Sequence, residues 1–356
     1  MFLDDFLGLG ESTLFGNDEI DMSQYKAIPL AEGEDPLDAC LRLTIENEQN
    51  YTNIMSTIAM AELTYMEESG TNEVVYEAMD IKKIGSTILE WIKTQWEKLK
   101  GVFARAVENI RATVSTDKHL VKKYENEKAN IKNPNVTVDK GVIVKGGISS
   151  LSNLVSEFVS AFDYGCANNV DRIKNVQMDN LNKDVVDRMA KSWKENKGVI
   201  INGSISKVCG ASNISPSEFS GAVRRKVCET GSLTVNMENA YNSVKDGKEA
   251  IKGVKETFKK TEKAYKDMLS DAKKFKKDGK DKENRAAIAK FANVYSAQVK
   301  TKISYLNMLC RICIQIANAD YQTNKRVLVK GLGGKNTSAS KEKTMASESA
   351  LICDII

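Results

Sequence analysis

From Ile81 to Ile110 apolar side chains recur at steps of three and four: Ile81, Ile84, Ile88, Ile92, Trp96, Leu99, Phe103, Ala106 and Ile110. That period puts them on one face of a helix, which must bury its stripe against something else. Trp91, Val102 and Val107 widen the stripe, and Lys82, Lys83, Lys93, Lys98, Lys100, Arg105 and Arg111 crowd the remainder. A helix over Met79–Val114 is therefore predicted. Gly85 and Gly101 are its weak points, each costing about 1 kcal/mol relative to Ala in a helix interior.

The same reading extends to the rest of the chain. Its 356 residues include only four prolines, and its Lys, Glu, Asn and Ala favour helix over sheet. Residues 1–35 are acidic, Gly-punctuated and read as disordered. Pro36 opens a helix that runs to about residue 68, and residues 73–78 form a connector. A polar region around Asp117–Asn135 acts as a linker. Val136–Val144 alternates around Asp139-Lys140-Gly141 and reads as a small hairpin, as does Gly198–Val208 around Asn202-Gly203. Helices are expected over about Ser149–Phe162, Val170–Glu195 and Ser217–Glu229, with a short strand at Ser232–Asn236. Two long helices, about Met237–Lys276 and Arg285–Val329, close the body as a helical hairpin around a polar turn. From Gly331 the tail is Gly/Ser/Lys-rich and expected to be flexible.

The predicted class is mainly α, with long amphipathic helices, a C-terminal helical hairpin and a few short β-hairpins (minor α+β). Its organisation is an acidic leader at 1–77, an amphipathic basic helix and linker at 78–130, a helical body at 131–330 and a tail at 331–356.

Motifs for catalysis are nearly absent. His119, the only histidine, lies in the polar stretch Asp117-Lys118-His119-Leu120 and reads as a solvated surface residue. Cys310-Arg311-Ile312-Cys313 has metal or redox spacing, but it lies mid-helix without a second ligand pair, so both cysteines read as small core residues. Gly331-Leu332-Gly333-Gly334-Lys335-Asn336 resembles a phosphate loop, yet it lacks the first glycine and the hydroxyl residue. Cys353-Asp354-Ile355-Ile356 has the length of a prenylation box with Asp354 in an aliphatic place. Seven scattered cysteines give no disulfide framework. No stretch approaches the roughly 18 apolar residues of a membrane span, and Asp4 and Asp5 stand where a signal peptide needs positive charge. No catalytic, cofactor-binding or metal-ligating residue is expected.

Charge is divided sharply. Residues 1–77 hold 17 Asp/Glu against Lys26 and Arg42, a formal −15, whereas the other 279 hold 50 Lys/Arg against 31 Asp/Glu, or +19. Residues 245–302 carry 18 Lys/Arg and nine Asp/Glu along helix faces. Any nucleic-acid contact would be phosphate-driven and salt-dependent, since no base-reading module is recognisable.

The glutamates of the leader follow one template: an aliphatic residue or Met, any residue, Glu, then a small residue. Leu9-Gly10-Glu11-Ser12, Leu30-Ala31-Glu32-Gly33, Met66-Glu67-Glu68-Ser69 and Val75-Tyr76-Glu77-Ala78 all fit, and no further match follows Ala78. Average residue usage gives roughly one match per 300–400 residues, so four in 78 is an excess. This pattern resembles the substrates of prohead proteases of large contractile-tailed phages, cut after Glu in a Leu/Ile-x-Glu context before Ala, Gly or Ser. Met66 and Val75 depart from the preferred Leu or Ile. The resemblance covers roughly residues 1–115 and implies an acidic propeptide that targets the chain to the assembling head.

A non-enzymatic virion protein of the capsid interior is therefore expected. It would be made in the host cytoplasm, processed at Glu11/Ser12, Glu32/Gly33, Glu68/Ser69 and Glu77/Ala78, and have the protease, other virion proteins and packaged DNA as partners. Two alternatives use the same features: a membrane-active or host-directed effector freed by proteolysis, with the 81–110 helix on a lipid surface, and a cytoplasmic helical interaction module.

Overall fold

A computed structural model of the chain describes residues 81–165, 176–195, 199–202, 204–208, 216–276 and 279–333. The elements in chain order are α1 (Ile81–Thr116), α2 (Lys118–Glu127), β1 (Asn135–Val144), α3 (Ser149–Gly165) and α4 (Lys183–Glu195). They continue with β2 (Val199–Asn202), β3 (Ser204–Val208), α5 (Pro216–Val227), β4 (Cys228–Asn236), α6 (Met237–Asp246), α7 (Lys248–Ala272) and α8 (Lys282–Gly331). Among the described residues the protein is mainly α, with two small two-stranded antiparallel sheets.

Helix α8 organises the rest. Fifty residues long, it spans about 75 Å at 1.5 Å per residue. Its N-terminus is fixed by the Asp281 side chain, which accepts from the Asn284 N–H at 2.8 Å. From Ala287 to Leu328 its buried residues fall on every side, among them Ile288, Phe291, Tyr295, Tyr305, Leu309, Cys310, Ile316 and Tyr321. A helix apolar all round must be surrounded. Helices α1, α3, α4, α6 and α7 and strand β1 all pack against it, and one hydrophobic cluster runs from Ile81 to Ala317.

The predicted helical hairpin is formed by α7 and α8. Tyr265 donates to Asn307 Oδ1 at 2.8 Å, Tyr295 donates to the Met268 carbonyl at 2.8 Å, and the Thr261 hydroxyl and the Cys310 thiol lie 3.1 Å apart. The expected first arm, Met237–Lys276, divides into α6, α7 and a 3-10 turn at Lys273–Lys276. Its break is Gly247, at φ +46°, where a Cβ would stand 2.0 Å from Val114 Cγ2.

Helix α1 fits the predicted stripe, burying Ile81, Ile88, Ile92, Leu99, Phe103, Ala106 and Ile110. It runs antiparallel to α7, since Gly85 meets Phe275 near one end and Val114 meets Gly247 at the other. Gly85 is no weak point here: a Cβ would lie 2.9 Å from Phe275 Cβ, so only glycine allows this approach. Gly101 has nothing within 4 Å of a built Cβ, and its cost is uncompensated.

Three further expectations are corrected. Val136–Val144 is not a hairpin: β1 is one strand, and its partner is β4, Asn135 facing Asn236 and Val144 facing Cys228. The Asp139-Lys140 turn signal is a bulge within β1, with Lys140 at φ +52° and the register shifting between Val138 and Gly141. The expected polar linker contains helix α2, whose Leu120 and Tyr124 are buried. The helix expected over Val170–Glu195 starts only at Lys183 among the described residues, preceded by a 3-10 turn at Met178–Asn180. There the Asn284 amide donates to the Met178 and Leu181 carbonyls at 3.0 and 2.8 Å. The Val199–Val208 hairpin forms as predicted, β2 pairing with β3.

Candidate polyanion-binding surface

The sequence-predicted processing residues Glu11, Ser12, Glu32, Gly33, Glu68, Ser69, Glu77 and Ala78 lie outside the described residues, as do the expected leader helix and residues 334–356. What the structure does place is the cationic surface. In α7 the lysines at 252, 255, 259, 263 and 266 follow steps of three and four, and all five are exposed. They form one ridge about 21 Å long. Lys252 reaches Glu249 at 4.0 Å and Lys266 reaches Glu262 at 3.0 Å. Lys255, Lys259 and Lys263 have no hydrogen bond or ion pair among the described residues.

Beside the ridge lies the seam between α7 and α1. Trp96 stacks on Phe258 with ring centroids 5.2 Å apart and touches Tyr265 at 5.0 Å, and Phe103 meets Phe258 edge-on at 5.2 Å. Tyr265 and Phe103 are buried, whereas Trp96 and Phe258 are only half-buried. Val107 and Val114 continue the Trp96 stripe of α1, and Ile251 and Leu269 continue the Phe258 stripe of α7, all partly exposed. The α1 rim of this seam carries Lys93, Lys100 and Arg111. Lys93 and Lys100 pair with Glu90 and Glu97 at 2.6 Å each, and the Lys100 ammonium lies 6.0 Å from the Trp96 ring centroid. Flexible ammonium groups in a row can neutralise successive phosphates without reading bases.

Among the described residues the three cysteines, Cys228, Cys310 and Cys313, are packed away. Cys310 and Cys313 are buried in α8, in agreement with the core reading. Burial pushes the Cys310 thiol up to about 12 and Cys228 up to about 11, and it raises Cys313 well above its ordinary value. Thiolates are then scarce at neutral pH. His119 is exposed, with Nδ1 2.9 Å from the Thr116 carbonyl, as expected of a surface residue. Among the described residues no three His, Cys, Asp or Glu side chains cluster to hold a metal, and no helix is long and apolar enough to cross a membrane.

Sequence reasoning missed a second polar arrangement, on α8. Asp320, Thr323, Arg326 and Lys330 recur every three or four residues on the face toward β1. Asp320 Oδ1 accepts from the Val144 N–H and Thr323 Oγ1 from the Val142 N–H, both at 2.9 Å. Arg326 donates to the carbonyls of Asp139 and Lys140 at 3.2 and 2.9 Å, and Lys330 to that of Thr137 at 2.8 Å. Helix side chains thus satisfy the strand edge that a third strand would otherwise pair. Burial raises the Asp320 carboxyl to about 6, against the opposing bonds from Val144 and Asn324. Asp117, buried where α1 meets α2, is held by Lys325 at 2.9 Å and accepts from Tyr321 at 3.2 Å. The signal for both sets was polar residues at helical spacing inside an otherwise apolar helix. They hold the fold together and leave the solvent-facing chemistry to the lysines.

Comparison with protein-family models, with curated proteins and with solved structures yields no match.

Proposed function

We propose that this chain is the precursor of a non-enzymatic head protein of a tailed bacteriophage, matured by cleavage after Glu77. The mature part would lie in the capsid interior, next to packaged DNA and other virion proteins. The observation that carries this reading is the run of four Glu-small sites in a −15 leader, ending at Glu77-Ala78. Ile81, the first residue of α1, is already buried in the core. A cut at Glu77 would therefore remove the acidic segment and leave every described element whole. What remains carries +19, and on α7 Lys255, Lys259 and Lys263, which have no partner among the described residues, can meet phosphate. A membrane-active role for the 81–110 helix would instead require Ile88, Ile92 and Phe103 to leave the core that buries them.

N-terminal sequencing of the protein isolated from its native particle tests the proposal. The expected first residue is Ala78. Recovery with Met1 still in place sinks it.

A further inference from the structure

We propose that residues 36–77 of the leader dock along the seam between α1 and α7 and mask its lysines until the chain is cut. This rests on the processing reading above and adds where the leader sits. Three observations favour that occupant.

The first is charge. Residues 36–77 hold eight Asp/Glu against Arg42 alone. The seam is rimmed by Lys93, Lys100 and Arg111 on one side and by the α7 ridge on the other, where Lys255, Lys259 and Lys263 lack partners among the described residues.

The second is apolar complementarity. A helix over residues 36–68 would carry Leu37, Leu41, Ile45, Met55, Ile58 and Met66 at roughly helical spacing. Along the seam, Trp96, Val107 and Val114 stand at steps of 11 and 7, and Ile251, Phe258 and Leu269 at steps of 7 and 11. Each set is therefore one stripe of its helix, half-buried and facing the other across the seam. Surface charges alone hold a segment weakly. An apolar strip between cationic rims accepts an amphipathic acidic helix far better than it accepts solvent.

The third is length and tether. Thirty-three residues of helix span about 50 Å, close to the roughly 54 Å of α1. Ser69 to Asp80 separates the two, and 12 extended residues reach about 40 Å, ample for reversing direction. So short a tether gives the leader an effective concentration in about the mM range, which cleavage at Glu77 abolishes. Docking that is weak between separate molecules then holds in the precursor and releases after the cut.

The test uses the intact chain. Zero-length carbodiimide crosslinking, read by mass spectrometry, should join Glu46, Glu48, Glu62 or Glu67 to Lys93, Lys100, Lys255 or Lys259. In parallel, a site-specific protease recognition sequence placed at 77–78 allows a controlled cut. Affinity for a 20-base-pair mixed-sequence duplex at 50 mM salt should rise at least tenfold on cutting. A freed ridge engaging about five phosphates gives a log–log salt slope near −4.5, hence a fall of about 500-fold in affinity between 50 and 200 mM salt. The charge-reversed variant Lys255→Glu/Lys259→Glu/Lys263→Glu, with its helical circular dichroism unchanged, should lose the links to α7 and the gain on cutting. Links confined to lysines away from the seam, or equal duplex affinity before and after the cut, overturn the proposal. The two readings fail separately. Virion protein starting at Ala78 without seam links in the precursor sinks only the docking, and seam links in a chain never cut in particles sink only the maturation.

Discussion

Helices α1 and α8 are both long, but they spend their surface in opposite ways. In α1 one stripe is buried, and the exposed remainder carries Lys82, Lys83, Lys93, Lys98, Arg105 and Arg111 among other polar residues. In α8 nearly every face from Ala287 to Leu328 is enclosed, and its polar residues turn inward onto β1 and Asp117. A helix with an open face can carry function at small cost to stability, because exposed substitutions rarely matter by more than about 0.5 kcal/mol. An enclosed helix has no such freedom. The molecule thus divides into an interior axis that sets the fold and an outer pair, α1 and α7, that can present charge.

The strongest attempt to break this contrast is a truncation in α8. Leu309→Ala, at a residue 0% exposed, should cost about 2–5 kcal/mol, seen as a lower denaturant midpoint at unchanged slope. Next comes Asp320. Its folded carboxyl keeps its proton up to about pH 6, against an ordinary value of 3.8. Between those values the native state binds more protons than the unfolded state. The contribution of Asp320 is therefore fully present below about pH 4 and is lost as pH rises through 6, by about 3 kcal/mol. Asp320→Asn cannot titrate, so its stability relative to the native sequence should increase from pH 4 to pH 7 in urea titrations. The two glycines of α1 give a smaller and sharper test. Gly85→Ala should destabilise by about 1–3 kcal/mol through its contact with Phe275, whereas Gly101→Ala should stabilise by about 1 kcal/mol, both read from thermal midpoints. Smallest of all, Lys263→Ala should move stability by less than about 0.5 kcal/mol, yet reduce the salt slope of duplex binding by the cleaved protein by about 0.9.

How far each element was legible follows from the same contrast. Helix α1 was readable because a one-sided stripe against lysines is a periodic signal, and the structure places it at Ile81–Thr116. The α7–α8 hairpin was readable for its length and apolar content. That α8 is the enclosed axis was not, since a helix apolar on all sides has no face to announce its neighbours. Helix α2 was hidden because only Leu120 and Tyr124 are buried in a charged segment. Strand β1 misled because Asp139-Lys140-Gly141 imitates a turn, while its true partner, β4, lies about 90 residues away and no local pattern encodes that distance. The lysine ridge was present as spacing, but only the packing of α7 against α1 and α8 shows which side of the helix faces out.

The pairing of β1 with β4 also fixes an order of events during synthesis. Strand β1 leaves the ribosome long before β4, and the α8 side chains that close its other edge come later still, the last being Lys330. While the roughly 90 residues between β1 and β4 are being made, Val142 and Val144 carry backbone groups with neither partner available, a template for wrong pairing. Only when the chain has been made almost to the end of α8 can both edges of β1 close. The nascent chain therefore needs α8 before β1 is safe from its neighbours.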